Sequence, residues 1–416
     1  MALVMNPLRR AGSRAPIIGL VVALLALLSL HGPALGSDWT SLSRVSDKGG
    51  SRLDSLHQLA ADRGQLHLAH ARVGPNPTDD RVVYQRSSDD GASWTKERTL
   101  FSSTNQRRHV VPNLAVAATA NVVVVAWRVN GPEENSLLVR VSRDGGKTFG
   151  VRETITSTTR EPGVGVPAVA VASKGKLVSV AWTNRASGKV KIRTSRDAGR
   201  KFGPARTVGK TSLSIDCRKR LTDGLVGLAA SERSIHVAWS HSPKSKCRAD
   251  AIKSRSSTDR GKTWSDQRTI TKRRSYGWPE LAARGRTVVA TVQSSSGGII
   301  MARSGKNGRG WKDRLVKPPK GHSFSAADVA LLPDKKAMIT YVNELVRNAK
   351  LVRTKVVVRW SPDDGGSLRK PKTIVDAAKR LRMAPNIAAN GKRAAVVMQS
   401  GPLTGTPHNI FTTRPR

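Results

Sequence analysis

The stretch Ser142–Phe149, SRDGGKTF, places an aspartate two residues after a serine, a glycine two further on, and an aromatic at its end. This spacing suits a tight hairpin turn. The aspartate can accept from backbone N–H groups within the turn. The glycine supplies a backbone conformation other residues resist, and the aromatic can pack back between sheets. Close copies are SSDDGASW (Ser87–Trp94), SRDAGRKF (Ser195–Phe202) and STDRGKTW (Ser257–Trp264). Two more are degenerate: SGKNGRGW (Ser304–Trp311) has Lys306 where aspartate is expected, and SPDDGGSL (Ser361–Leu368) ends on leucine. Six catalytic loops in one chain are implausible, so the repetition assigns Asp89, Asp144, Asp197, Asp259 and Asp363 to turn structure. A calcium loop fits poorly, because each box offers only one or two carboxylates and no terminal acid.

The same strand pattern surrounds every box. A short run such as PNLAVAA, PAVAVA, PELAA or PNIAA comes first, then a β-rich run such as VVVVAWRV, LVSVAWTN, SIHVAWSH or KAMITYVN. A third alternating run (SLLVRVS, KVKIRTS, KVVVRWS) enters the box, and a fourth (RETI, ARTV, QRTI, PKTI) leaves it. Valine-rich runs between Gly, Pro, Asn and Asp read as strands. Four strands in each unit of roughly 50 residues predict an all-β propeller of four-stranded blades. Six units carry a box. A seventh starts at Pro385 and continues in HNIFTTRPR, while DWTSLSRV (Asp38–Val45) resembles a box tail plus a fourth strand. The expectation is seven blades, the last shared by N- and C-terminal strands so that no sheet edge stays open. Six is the alternative if the end segments form no full sheet. Aromatic or His ends of the second strands (His70, Trp127, Trp182, Trp239, Tyr341) read as wedges between sheets rather than as sugar platforms.

The chain has 416 residues, 72 Lys and Arg against 29 Asp and Glu, and a formal charge of +43. Its N-terminus has a basic n-region (Arg9, Arg10, Arg14), the apolar run Pro16–Leu30 and small residues at Ala34–Ser37. This reads as a secretory signal peptide over residues 1–36, too short for a comfortable membrane span, followed by one domain over 37–416. A secreted monomer is expected, with association to a cell envelope possible. In that setting the two cysteines, Cys217 and Cys247, are most simply a disulfide. They fall on two loops of one blade that should lie on the same face. No metal or cofactor is expected, since no His/Cys cluster has ligand spacing.

The boxes are similar to the Asp-box, or bacterial neuraminidase, repeats of the sialidase superfamily, and the resemblance spans essentially the whole mature chain. It implies a β-propeller with the boxes on the face opposite the functional one. Two loop sets would mark that other face, and one is strongly cationic, carrying Arg107, Arg108, Arg160, Arg220, Arg273, Arg274, Arg380 and Arg382; in SRLDSL, Arg52 stands where the resemblance implies a first arginine for the substrate carboxylate, with Asp54 in place of its proline. These loops belong to different blades, so they are expected to converge on one depression and to suit carboxylate, sulfate or phosphate groups. Sialidases also imply an aspartate acid/base and a tyrosine nucleophile. Asp79 and Asp80 lie in the loop where the aspartate belongs. At the tyrosine position, in HSFSAADVALLPDKK, stands Ala326 with Phe324 nearby. Without the nucleophile the covalent route is lost. The expected function is therefore binding of anionic glycans or cell-envelope polymers without hydrolysis, with a divergent exo-sialidase or other glycoside hydrolase as the alternative. Charge alone would permit nucleic-acid binding, but secretion and the lack of aromatics interleaved with the basic runs speak against a specific nucleic-acid partner.

Overall fold

The computed structural model describes residues 39–46, 53–73, 80–103, 109–131, 135–158, 163–172, 174–212, 226–242, 249–348, 350–378, 384–390, 393–400 and 409–415. It is a ring of seven four-stranded antiparallel sheets, with no helix among the described residues. After β1 (Ser43–Arg44), blade one comprises β2 (Leu53–Asp62), β3 (Gln65–Val73), β4 (Arg81–Ser87) and β5 (Arg98–Ser102). Blade two comprises β6 (His109–Thr119), β7 (Val122–Asn130), β8 (Asn135–Ser142) and β9 (Glu153–Thr158). Blade three comprises β10 (Ala168–Ala172), β11 (Leu177–Thr183), β12 (Lys189–Ser195) and β13 (Arg206–Lys210). Blade four comprises β14 (Val226–Ser231), β15 (Ser234–His241), β16 (Ala251–Ser257) and β17 (Arg268–Thr271). Blade five comprises β18 (Ser275–Arg284), β19 (Thr287–Ser294), β20 (Ile299–Ser304) and β21 (Lys312–Val316). Blade six comprises β22 (His322–Leu331), β23 (Ala337–Arg347), β24 (Lys350–Ser361) and β25 (Lys372–Ala378).

Blade seven closes the ring as the sequence implies. Its order is β26 (Asn386–Asn390), β27 (Arg393–Ser400), β28 (Asn409–Thr413), then β1. Ser43 pairs with Thr412 and Arg44 with Phe411, and Thr40 N–H donates to the Arg414 carbonyl (2.9 Å). Seven apolar clusters fill the seven junctions between neighbouring blades. Trp127, Trp182 and Trp239 are fully buried in them, as is Tyr341, so the second-strand aromatics are wedges. Burying such a ring contributes roughly 2–3 kcal/mol at each junction.

The boxes are turns between third and fourth strands, built alike. In the box at Ser142, the Ser142 hydroxyl donates to Asp144 (2.7 Å) and accepts from Gly146 N–H (2.8 Å). Asp144 also accepts from Thr148 N–H (2.9 Å) and the Thr148 hydroxyl (2.5 Å). Asp89, Asp197, Asp259 and Asp363 repeat the serine and backbone contacts. The fourth and fifth positions both have positive φ, as at Gly145 (72°) and Gly146 (82°) or Asp90 (58°) and Gly91 (89°). Together the hydrogen bonds from Ser93 and Ser87 outweigh partial burial and hold Asp89 at about 2; those from Thr148 and Ser142 do the same for Asp144. The carboxylates are spent inside their own turns.

Arginines tie one box to the next. Arg143 Nε donates to the Ala198 carbonyl (3.0 Å), Arg196 Nε to the Arg260 carbonyl (3.2 Å), and Arg414 Nη1 to the Asp89 carbonyl (2.6 Å). Part of the cationic excess is thus structural.

Candidate functional site

Each innermost strand runs from the connection after the preceding blade towards the face that carries the boxes. The upper parts of all seven innermost strands meet around a depression of about 140 Å³ on the axis, towards the face opposite the boxes. Most of its lining is small and apolar: Ala115, Pro167, Ala168, Gly227, Ala327 and Ala384 among others. Its polar residues are His57 and Gln58 from blade one, Glu280 from blade five, Asp328 from blade six and Asn386 from blade seven. Four of these, Gln58, Glu280, Asp328 and Asn386, occupy one equivalent position, immediately before a Leu, Val or Ile of the innermost strand. They therefore stand at one level of the ring. In blades one, five and six the ladder between the first two strands shifts register just before that position, at Ser55/Gln58, Tyr276/Glu280 and Ser325/Asp328. Such bulges re-aim a side chain.

Asp328 is the most constrained of the group. Its Oδ2 accepts from Ile387 N–H (2.9 Å) and the Asn386 amide (3.4 Å), and its Oδ1 from Val329 N–H (2.7 Å). Water reaches it only down the depression, and protein surrounds it otherwise. That burial pushes its carboxyl up to about 6, against the pull of the donors. Two residues earlier, Ala326 lines the same depression with φ of +47°, a conformation uncommon for alanine. His57 bonds the Val397 carbonyl through Nε2 (3.1 Å), and burial lowers it to about 4, so its ring is neutral at physiological pH. The depression can offer a protonated or ionised carboxyl, a second carboxylate, amides and a neutral imidazole to a polar ligand.

Most of the sequence-derived site residues (Asp79, Arg52, Arg107, Arg108, Arg160, Arg220, Arg380, Arg382) and both Cys217 and Cys247 lie outside the described residues; no disulfide occurs among the described ones. Three are described. Asp80 is buried; its Oδ2 accepts from Val110 N–H (3.0 Å), which ties blade one to blade two, and its carbonyl accepts from Ser103 N–H (2.9 Å) at the end of its own blade. It does not line the depression. Arg273 Nε pairs with Asp313 (2.6 Å) and Arg274 Nε lies 3.9 Å from Asp250, so each has an acidic neighbour away from the axis. Tyr84 and Tyr341 are buried between blades, Tyr84 sharing a hydrogen bond with His67 (2.7 Å). Phe324 packs on Tyr341.

Sequence reasoning passed over His57, Gln58, Glu280, Asp328 and Asn386. A signal was available: PELAA and AADVALL each place a carboxylate at the same register of an otherwise apolar innermost strand.

Residues 30–229 match the family model for the BNR repeat-like domain. A comparison with the curated proteins finds no match. Among solved structures the chain is similar to the phage phi92 endosialidase, at 8% identity and a TM-score of 0.56, covering 91% of this chain and 69% of that one. It is likewise similar to a PL25 polysaccharide lyase, an ulvan lyase, bound to -[GlcA(1-4)Rha3S]-, at 10% identity and a TM-score of 0.56, covering 89% and 95%. A protein of unknown function from Dyadobacter fermentans matches at 13% identity and a TM-score of 0.54, covering 91% and 100%. With five box aspartates locked in one turn geometry and seven closed blades, the chain is a seven-bladed β-propeller whose residues 30–229 match the BNR repeat-like domain.

Proposed function

We propose that this chain is an exported propeller that binds anionic glycans or cell-envelope polymers on the face opposite its boxes, without cleaving them. The observation that carries this reading is Ala326. It lines the axial depression where the resemblance to sialidases expects a tyrosine nucleophile, and Tyr84 and Tyr341 are buried between blades rather than in that depression. The connections that hold Arg52, Arg107, Arg160, Arg220 and Arg380 each run from an outermost strand, or from the chain's start, to the next innermost one, which supports a cationic rim around it. That the fold is shared with an endosialidase and an ulvan lyase supports a glycan as the ligand class.

The test is a glycan and polyanion array at physiological salt, run beside a sialoside hydrolysis assay on the same protein. Retention of acidic polymers that weakens steeply with salt, with no sugar released, is expected. Arg107→Glu with Arg380→Glu should remove most of that retention. Hydrolysis abolished by Asp79→Asn overturns the reading.

A second reading, a divergent glycoside hydrolase, has its own support: Glu280 and Asp328 line one depression from neighbouring blades, and Asp328 near 6 retains a protonated fraction that a general acid needs. Glycan cleavage lost in both Asp328→Asn and Glu280→Gln would establish it.

A further inference from the structure

The box face has a concavity of its own. The ends of the innermost strands of blades two to five and the turns that follow enclose about 580 Å³. Five cations line it: Lys174 and Lys176 from blade three, Arg233 and Arg260 from blade four, and Arg284 from blade five. Glu232 is the one acid in that lining. Two of the arginines are held in place. Arg260 N–H donates to the Arg233 carbonyl (2.9 Å) and the Arg260 carbonyl accepts from Arg196. Arg284 is fixed by its ion pair with Asp364 of the next box. Each keeps a buried guanidinium nitrogen without an acceptor, Nε of Arg260 and Nη1 of Arg284. A buried N–H left unbonded is unfavourable, and an acceptor that reached it would relieve that cost. Lys174, Lys176 and Arg233 stand exposed at turn tips around it. Blade six, by comparison, sets the acidic Asp334 beside its exposed Lys335 and Lys336.

We propose that this concavity is an anion site that grips a sulfate or carboxylate group of an anionic polysaccharide, and so holds the propeller on a polyanionic matrix by its box face. The guanidinium groups of Arg260 and Arg284 receive the oxyanion, and the exposed turn-tip cations track the rest of the polymer. The site is independent of any ligand at the axial depression, which stays presented on the opposite side.

The experiment compares two triple charge reversals on the full chain. Lys174→Glu, Lys176→Glu and Arg233→Glu strike the concavity. Lys335→Glu, Lys336→Glu and Lys370→Glu make the same change in net charge at exposed positions of blade six. Binding of fluorescent dextran sulfate is followed by anisotropy from about 50 to about 200 mM salt. The first variant should bind roughly tenfold more weakly near physiological salt, and its log–log salt slope should be shallower by about two to three. The blade-six variant should lose little. Equal losses would reduce the effect to bulk charge and overturn the site, as would an undiminished first variant. Vesicles rich in anionic phospholipid form a second arm. If they bind more tightly than dextran sulfate, and lose that binding in the first variant, the polysaccharide is the wrong ligand. Should the triple reversal fail to fold, Lys174→Ser with Lys176→Ser carries the same comparison, with a smaller loss expected.

Discussion

The box of blade two and the box of blade five rest on the same foundation and differ in what reinforces it. Gly146 packs over the hydroxyl of Tyr84, which is bonded to buried His67 of blade one. Gly308 packs over the hydroxyl of Ser256, which is bonded to buried His236 of blade four (2.8 Å). Both glycines follow another residue of positive φ. Above that shared base, Asp144 gathers three donors, whereas Lys306 gathers none and the Ser304 hydroxyl donates to the Arg309 carbonyl instead. The ladders differ with the boxes. The third- and fourth-strand ladder of blade two shifts register between Leu137 and Leu138, and blades one, three, four and six shift at the equivalent place. In blade five β20 and β21 pair without interruption from Ile299↔Val316 to Arg303↔Lys312. A box can lose its carboxylate when its fourth strand pairs straight from the turn. It does not lose the left-handed pair or the glycine that touches the previous blade.

The largest expected effect is on the shared foundation. Burial holds His67 and His236 at about 4, against about 6.5 in an unfolded chain. The unfolded state therefore binds more protons as pH falls from about 6.5 to about 4, and stability that is complete above that window is lost within it. At pH near 5 each histidine should cost about 2 kcal/mol. His57 and His70 act in the same direction, while the raised carboxyl of Asp328 acts in the opposite one. Urea midpoints should drop sharply between pH 7 and pH 5, and less so in His67→Gln and in His236→Gln. A flat profile in the wild type would break the idea that the two junctions share a buried neutral imidazole.

Next in size is Gly146→Ala. Its Cβ would lie inside the Tyr84 hydroxyl, at a φ of +82°. Strain and overpacking together should cost about 3 kcal/mol or more. Gly308→Ala meets the smaller Ser256 hydroxyl, which can rotate, and should cost less by about 1 kcal/mol. Equal unfolding midpoints for the two variants would show that the previous blade does not set the difference. Smaller again is Asp144→Ala, expected to cost about 1 kcal/mol after allowance for solvent competition at an exposed turn. The smallest effect is a gain. Lys306→Asp should stabilise blade five by about 0.5 kcal/mol at most, because Gly310 offers an N–H but no hydroxyl where Thr148 offers both.

The fold was legible in the sequence because the turn and the strands repeat. The serine-to-glycine spacing and the flanking valine runs agree at each repeat, and the strand tally left a gap that only the N-terminal DWTSLSRV could fill. The axial site was not legible in the same way. Glu280 and Asp328 are single polar residues in short apolar strands. What makes them a pair is their common level in the ring, a relation between residues 48 apart that no local pattern carries. Asp80 is a candidate acid in the sequence because it sits in the loop where the resemblance to sialidases places one. Its carboxylate bonds a backbone amide of the next blade, a partner on the far side of β4 and β5 in sequence. Likewise it takes a three-dimensional neighbour, the next box, to make Arg143 and Arg196 braces.

The shared seventh blade has a consequence for how the chain is made. Its β1–β28 pairing and the Thr413–Thr40 contact join residues 367 to 373 apart in sequence. Contacts between distant parts of a chain form slowly, because a long loop must close before they contribute. During synthesis the first six sheets can assemble as their strands emerge, but Ser43 and Arg44 must wait for Asn409–Thr413. Until then Trp39 has no partner in β27 or β28, and the junctions on both sides of the missing blade stay open to water and to other chains. The interval between synthesis of blade six and arrival of the last strand is the period in which this protein is most exposed to aggregation and proteolysis, and in which a chaperone would find its clearest target.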